Sequence, residues 1–341
     1  MAKKNNKKAK KQRKLLLALL MLLLTFVTLS TSTYAWFTAN KTVTVSSINV
    51  NVAAANGLQI SVDAIEWKAV VTNDDIKRII TAKGTDTDTY PTAVNQLPSS
   101  ETSLAPVSTV GTITDGKMEM FLGEIDADAQ GTYKLTSTKS TETNTTTGGH
   151  FVAFDLFFQV QAETQIYLTN AAQVIAGNTD SGIHNAARVA FIIEGTKAAG
   201  TAAGEIQTLA GGNDAIIWEP NNDVHTAAAV QHALNTYGLQ TSTAGAAPIN
   251  YYGLKAAFSD GELLTSTNSD KFGQVTMDIT TPAAGIEQTA FKPVFLLPAG
   301  VTKVRVYMWI EGQDVDCENN ASGGDITFDL QFSSNSNISG S

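Results

Sequence analysis

Hydrophobic and polar residues alternate with a period of two along much of the chain. In residues 43–52, Val and Ile are separated by Thr, Ser and Asn, and the alternation changes phase once, at Ser46-Ser47. Every second residue of an extended chain points to the same face, so this segment is predicted to be a half-buried strand with a bulge at the phase change. Six further segments follow the same pattern: 58–62, 65–71, 152–160, 275–279, 304–310 and 326–332.

So many alternating segments predict a mainly β fold, an antiparallel β-sandwich or jelly roll built from half-buried strands. We assign residues 53–195 and 271–333 to this β-sandwich domain and 334–341 to a flexible tail. Residues 196–270 are rich in Ala and Gly and are interpreted as an insertion.

The insertion is predicted to contain one helix, 222–238. Asn222 can cap its N-terminus, Val230 and Leu234 share a face, and Gly238 ends it. His225 and His232 also share a face, but a helix places them roughly 10 Å apart, too far to bind one metal ion. We interpret both as exposed helix histidines.

The first 35 residues have the layout of an export signal. A basic block ending at Lys14 is followed by the apolar run 15–27 and by small and polar residues ending at Ala35. The apolar run is shorter than the ~20 residues that span a bilayer. We therefore predict a signal peptide, 1–35, cut between Ala35 and Trp36, and a protein that is secreted to the exterior or the cell surface, with membrane contact only through an uncleaved leader.

Removal of the leader takes away eight basic residues and no acidic residue. The mature chain would then carry 15 basic against 32 acidic residues, a net charge of −17. A surface of this sign disfavours nucleic acid and anionic membranes and favours divalent cations. The chain has one cysteine, Cys317, so no intramolecular disulfide can form, and we predict that Cys317 packs in the interior.

Motifs for catalysis are weak. None of the four histidines stands in an HExxH motif, and there is no GxSxG motif. Residues 111–117 match the start of a GxxxxGK[ST] phosphate-binding loop, but Met118 replaces the hydroxyl residue and a strand pattern follows instead of a helix. We predict a hairpin turn at Asp115-Gly116 and no enzyme activity.

An acidic segment lies between the last two strand patterns. Asp314, Asp316 and Glu318 stand at every second position, and Asp325 is the twelfth residue counted from Asp314. Converging carboxylates are the ligands that Ca²⁺ prefers. These four residues are a candidate calcium site, and the alternative is a solvated hairpin loop.

The segment 36–52 would become a free chain end after cleavage. Its apolar residues are candidate donor-strand residues: Val43, Val45, Ile48, Val50 and Val52. Such an end can pair within its own sheet, or it can add to the sheet of a neighbouring molecule. The sequence leaves both arrangements open.

The leader ending in STSTYAWFT (Ser30–Thr38), with Trp36-Phe37 just past the cut and an alternating strand after it, resembles a known group of exported proteins. These are Gram-positive proteins whose leader is cleaved by a dedicated signal peptidase, among them the TasA/camelysin-like biofilm matrix fibre family. The resemblance implies a jelly roll that assembles by donating its N-terminal strand to the next subunit. Camelysin-like members are described as metalloproteases, but no zinc motif is present here, so the resemblance is used for architecture and assembly only.

The sequence therefore favours a secreted structural protein that forms extracellular filaments or biofilm matrix as a homopolymer. Two alternatives stay open. One is a monomeric adhesin or carbohydrate-binding β-sandwich that uses Tyr251 and Tyr252, and the other is a secreted hydrolase with two carboxylates facing one cleft.

Overall fold

The structure is a computed structural model. It describes residues 43–52, 57–76, 93–95, 102–127, 133–140, 150–177, 182–220, 225–229, 252–258, 262–263, 271–275, 279–280, 292–314, 316–317 and 324–335. The predicted signal peptide, its cleavage site, His232 and residues 230–238 of the predicted helix lie outside these ranges. None of the helices within the described ranges is long and apolar enough to cross a membrane.

The described elements are almost all strands. In chain order they are β1 (Val43–Val52), β2 (Gln59–Ser61), β3 (Val70–Thr72), β4 (Ala93–Asn95), β5 (Thr102–Leu104), β6 (Ile113–Thr114), β7 (Lys117–Met118), β8 (Met120–Ala127), β9 (Tyr133–Ser140), β10 (Phe151–Val160), β11 (Thr164–Leu168), β12 (Gln173–Ala176), β13 (Ala187–Lys197), β14 (Ala215–Glu219), β15 (Tyr252–Leu254), β16 (Glu262–Leu263), β17 (Phe272–Gln274), β18 (Ile279–Thr280), β19 (Lys292–Leu297), β20 (Gly300–Ile310) and β21 (Asp325–Ser333). A 3₁₀ helix covers Ile183–Ala186, and a short α-helix, α1, covers Ala203–Gln207.

Two seven-stranded sheets form the framework. Sheet A has the order β19-β11-β21-β1-β3, with β12 also paired to β21 and β5 to β1. Sheet B has the order β18-β14-β13-β20-β10-β2, with β4 also paired to β10. Phe158 of sheet B packs against Phe295 and Phe332 of sheet A, with ring centroids 5.4 and 5.1 Å apart. The predicted mainly β, antiparallel sandwich class is confirmed, whereas jelly-roll connectivity stays a prediction.

The first and last strands lie side by side in sheet A. β1 runs parallel to β21, and the register shifts between Val45 and Ser47, where β1 contains one extra residue. The bulge predicted from the phase change at Ser46-Ser47 is thereby confirmed. On its other side β1 pairs with β5 at one end and with β3 at the other, over three residues each.

Sheet B is covered on both faces, which corrects one prediction. Its central strands β10 and β20 are buried along almost their whole length instead of being half-buried. The second face presents Phe151, Tyr307 and Trp309, which pack against residues from the 107–120 segment. A second segment, residues 198–212, covers another part of this face, and we call it the strap. Its Ile206 packs against the sheet. By contrast, β21 alternates between buried and half-buried positions as predicted.

Residues 65–71 do not form the strand that their alternation predicts. Only Val70 and Val71 belong to β3, and Ile65 is largely exposed. The Asp63 side chain accepts hydrogen bonds from the backbone N–H groups of Ile65 and Glu66. A side chain that caps its own backbone in this way favours a turn over a strand.

The turn predicted at Asp115-Gly116 is confirmed. Both residues have positive φ, 53° and 72°, and they connect β6 to β7. Two consecutive left-handed residues are what a two-residue hairpin needs. Lys117 and Met118 form β7, whereas a phosphate-binding loop is followed by a helix.

The described parts of the 196–270 segment are joined to the β framework. β14 pairs with β13 in sheet B, and β16 pairs with β9. In the predicted helix 222–238, residues 227–229 are helical, whereas His225 and Thr226 are not. Thr226 Oγ1 accepts a hydrogen bond from the N–H of Ala229, so Thr226 caps this helical turn; Asn222 lies outside the described residues.

Candidate functional site

A cluster of buried charged side chains lies where β20 ends. Glu311 follows β20 directly and is fully buried. Its carboxylate accepts hydrogen bonds from Trp309 Nε1 at 3.1 Å and from the backbone N–H of Gln313 at 2.9 Å. Burial raises the pKa of Glu311 well above its ordinary value, more than the hydrogen bond from Ser108 lowers it.

Arg188 lies at the centre of this cluster. It is the second residue of β13, and its side chain is 1% exposed. Its Nη2 lies 2.5 Å from both Glu219 Oε1 and Asp314 Oδ2. Its Nη1 donates to the carbonyl oxygens of Asn185 and Ala187 at 2.9 and 3.0 Å. Burial lowers the pKa of Arg188, but the two carboxylates outweigh it and the pKa is raised.

Asp316 connects the cluster to the segment 225–229. Its Oδ1 accepts hydrogen bonds from the backbone N–H and the Oγ1–H of Thr226 at 2.9 and 3.0 Å. Its Oδ2 lies 2.7 Å from His225 Nδ1. Burial raises the pKa of Asp316, and the His225 hydrogen bond only partly opposes this. For His225, burial lowers the pKa, but the hydrogen bond to Asp316 and the nearby carboxylates give a net rise.

We call this set the end cluster; its members are Arg188, Glu219, His225, Glu311, Asp314 and Asp316. It contains four carboxylates against one guanidinium and one imidazole. Buried charges of one sign are stable only when opposite charges or bound protons compensate them. The raised pKa values of Glu311, Asp316 and His225 mean that protons supply part of this compensation.

The structure divides the four residues of the candidate calcium site. Asp314 and Asp316 lie in the end cluster, and the group with ligand atoms within 4.8 Å of one another consists of these two residues and His225. Asp325, at the start of β21, is not a member of that group, and Glu318 lies outside the described residues. The Asp314 and Asp316 oxygens already accept hydrogen bonds from Arg188, Thr226 and His225, which is typical of an ionic network. Calcium binding stays a prediction.

The predictions of the environments of His225 and Cys317 have opposite outcomes. The interpretation of His225 as an exposed helix histidine is wrong, because its side chain is 14% exposed and paired with Asp316. Cys317 is buried as predicted.

A second network of buried charges lies under the strap. Asp155 accepts hydrogen bonds from Arg305 at 2.9 and 3.3 Å and lies 3.2 Å from Lys303 Nζ. Lys303 also donates to the carbonyl oxygens of Gln207 and Leu209, each at 2.8 Å. Glu194 Oε2 accepts the N–H of Gly212 at 3.1 Å. We call Asp155, Glu194, Lys303 and Arg305 the strap network.

All five candidate donor-strand residues lie in the core of this chain's own sandwich. Val43, Val45, Ile48, Val50 and Val52 are between 0% and 7% exposed. They point to the buried side of sheet A, as the alternation predicts. Tyr251 lies outside the described residues, and Tyr252 is the first residue of β15.

The central residue of the end cluster, Arg188, was missed from sequence. A signal was present, because Arg188 is the single charge in the otherwise apolar run Ala186–Ile193, and Glu219 likewise ends the apolar run of β14. A charge within an apolar run is costly to bury without a partner, so it predicts an ion pair. What the sequence does not show is which partner.

The geometry of the end cluster is suited to holding segments together. It ties the loop after β20 to β13, to β14 and to the segment 225–229 through side chains that are each hydrogen-bonded. Comparison of the chain with protein-family models, with curated proteins and with solved structures finds no match.

Proposed function

We propose that this protein is a secreted structural subunit that assembles into extracellular filaments or biofilm matrix by exchanging its N-terminal strand with the next copy. The observation that carries the proposal is the position of β1. It is an N-terminal strand inside a sheet, with eight residues in register with β21. The resemblance to the TasA/camelysin-like fibre family points the same way, with the signal peptidase that cuts between Ala35 and Trp36 releasing the strand.

An empty β1 position would be costly. Full burial of each Val or Ile side chain contributes ~1.5–3 kcal/mol, so the five apolar residues of β1 together contribute on the order of 10 kcal/mol. The position beside β21 must therefore be filled, either by the same chain or by another copy.

Exchange of β1 between copies keeps these contacts. The parallel pairs with β21 and the hydrogen bond from Asn49 Nδ2 to Asp329 Oδ1, 2.8 Å long, can form within one chain or between two. After cleavage between Ala35 and Trp36, seven residues would precede β1, so the strand could leave and enter without threading the rest of the chain. Its partners on the other side, β3 and β5, pair over only three residues each. When each copy donates to the next and the rotation does not close a ring, a filament results.

A disulfide across β1 and β21 distinguishes the two arrangements. Asn49 and Asp329 are register neighbours on the half-buried outer side of sheet A, within the Cα separation that a disulfide spans. In the variant Asn49→Cys/Asp329→Cys, oxidation of dilute protein should link the two cysteines of one chain. Oxidation of concentrated, assembled protein should give a ladder of covalent multimers on a non-reducing gel.

The single variants Asn49→Cys and Asp329→Cys are the controls, and neither should form multimers beyond dimers. Electron microscopy of the mature protein, with and without residues 36–46, gives an independent view of the assembly. Covalent monomers at every concentration, together with a monodisperse monomer by microscopy, would exclude strand exchange.

A further inference from the structure

A lysine and an aspartate face each other in the interior, on neighbouring strands of sheet B. β20 runs antiparallel to β10, and Lys303 lies diagonally across from Asp155, with Nζ 3.2 Å from Oδ2. The two side chains are 4% and 1% exposed, whereas the lysines of the other lysine–carboxylate pairs in the described ranges, Lys68 and Lys139, are 36% and 46% exposed. Asp155 Cγ is one bond from Oδ2, so a buried amine is held within reach of a carboxyl carbon.

The strap holds the Lys303 side chain in this position. Nζ donates hydrogen bonds to the carbonyl oxygens of Gln207 and Leu209, each at 2.8 Å. When the third proton of the ammonium passes to Asp155, the amine keeps two N–H groups for these two carbonyls. Its lone pair is then directed at the Asp155 carboxyl, and a desolvated amine of this kind is a nucleophile.

Two further members of the strap network adjoin the pair. Arg305 donates to both Asp155 oxygens, at 2.9 and 3.3 Å, so a negative charge that develops on either oxygen has a cation beside it. Glu194 lies on β13 at the register shift opposite β20, its side chain is fully buried, and it interacts electrostatically with Asp155 and Lys303. Burial raises the pKa of Glu194, so its carboxyl holds a proton at a higher pH than an exposed glutamate does and can pass it on.

We propose that Lys303 and Asp155 join in an intramolecular amide bond between β20 and β10, with Glu194 as the group that transfers the protons. Nζ attacks Cγ, and the C–N bond forms as the bond from Cγ to the carboxyl hydroxyl breaks. The Glu194 carboxyl gives its proton to the departing oxygen, which leaves as water, and takes up the proton that the nitrogen releases. One amine and one carboxyl are consumed, one amide and one water are formed, and no co-reactant enters the balance.

The burial of the pair favours the linked form. Holding two charges away from water is costly, whereas the amide is uncharged and leaves Arg305 with Glu194, 3.9 Å away, as its carboxylate partner. The reaction passes through the neutral amine and the neutral carboxyl, so it is slow, and the freshly folded chain contains the ion pair. The bond does not depend on strand exchange, because β10 and β20 stay in one chain. It would give a chain with one cysteine a covalent connection inside sheet B.

Mass spectrometry of the whole mature protein tests the bond. After the folded protein has been kept at pH 7 and 37 °C for one week, its intact mass should be lower by one water molecule. A tryptic digest should contain a branched peptide in which Lys303 is joined to Asp155 and is no longer a cleavage site. The variants Lys303→Arg, which keeps the charge without a nucleophilic amine, and Asp155→Ala should both keep the full mass.

The two variants also control for a competing reaction. Asp115-Gly116 can lose water by closing to a succinimide, and both variants keep this pair, so a loss at that place would persist in them. Glu194→Gln separates the chemistry from folding, since Gln can still accept the N–H of Gly212. This variant should form the bond on the order of a hundredfold more slowly, because it lacks the proton-transfer group.

The wild-type mass is decisive by itself and needs no folded variant. Full mass after the incubation, or a water loss that maps to residues other than Lys303 and Asp155, would overturn the proposal. An equal rate of bond formation in Glu194→Gln would overturn the role of Glu194 in it.

Discussion

The strap network and the end cluster both lie on sheet B, and they differ in their balance of charge. In the strap network, two carboxylates face an ammonium and a guanidinium, and the remaining donors of Lys303 are satisfied by carbonyl oxygens of the strap. In the end cluster, four carboxylates face one guanidinium and one imidazole. The first network is neutral without bound protons, whereas the second depends on them.

This difference gives the two regions different responses to pH. The strap network holds two acidic and two basic groups, so it needs no bound proton for balance, and the pKa of one of its members, Glu194, is raised by burial. The end cluster becomes more stable as the pH falls, because the pKa values of Glu311, Asp316 and His225 are raised in the folded protein. Substitutions in the two regions test this contrast.

Arg188→Met should be the most destabilising substitution. It leaves Glu219 and Asp314 buried without their cation, and loss of one partner of a buried ion pair costs about 3–5 kcal/mol, with this doubly paired residue at the upper end. Urea unfolding measures the loss. It should be smaller at pH 5 than at pH 8, because the carboxylates left behind can take up protons. An equal loss at both pH values would contradict proton compensation in the end cluster.

Asp155→Asn should cost less, about 3 kcal/mol, and the loss should hardly depend on pH. Lys303 keeps two carbonyl partners in the strap, and Arg305 still lies 3.9 Å from Glu194. The substitution also leaves no additional buried carboxylate that could take up a proton between pH 5 and pH 8. Parallel unfolding curves of this variant and Arg188→Met at both values provide the comparison, and a strong pH dependence here would remove the distinction between the two networks.

Gly182→Ala should destabilise the end cluster by about 1–3 kcal/mol. Its φ is +71°, and the added Cβ would clash with Thr226 Cγ2. Gly200→Ala is the matched control at the start of the strap, with φ +84° but nothing within 4 Å of the new Cβ. It should cost about 1 kcal/mol, from the backbone alone. Thermal melting measures both, and equal losses would show that the contact with Thr226 is unimportant.

Glu194→Gln should have the smallest effect, a gain of about 1 kcal/mol or less at pH 8. Burial raises the pKa of Glu194, so the folded protein favours its protonated form, and that contribution is lost as the pH rises through the folded value. Gln imitates the protonated carboxyl and can still accept the N–H of Gly212. The gain should vanish at pH 4. A loss of stability at pH 8 would mean that the Arg305 contact outweighs burial.

Local features of this fold could be predicted from sequence. The phase change at Ser46-Ser47 indicated the bulge in β1, and Asp115-Gly116 indicated the hairpin between β6 and β7. Both depend on residues adjacent in the chain, whose conformational preferences are short-range. The burial of both faces of β10 could also have been predicted from its own residues, because the run from Phe151 to Phe158 contains only one charge. The period-two alternation by itself wrongly predicted a half-buried strand.

The end cluster could not be assembled in the same way. Arg188 is hydrogen-bonded to Asp314, which lies 126 positions away in the sequence, and Thr226 to Asp316, 90 positions away. The sequence identified Asp314 and Asp316 as candidate ligands from their spacing, but spacing gives no information on distant partners. His225 was placed on an exposed helix face because its helix was predicted to start before it, whereas the helical turn starts after Thr226.

The pairing of β1 with β21 also bears on the order in which the strands of sheet A are synthesised. Asn49 and its partner Asp329 are 280 positions apart, so a chain made from its N-terminus presents β1 long before the strand that completes its sheet exists. During that interval the neighbours of β1 in the described chain are β3 and β5, which pair with it over three residues each. The eight-residue pairing that completes the sheet therefore forms only after the last described strand has been made.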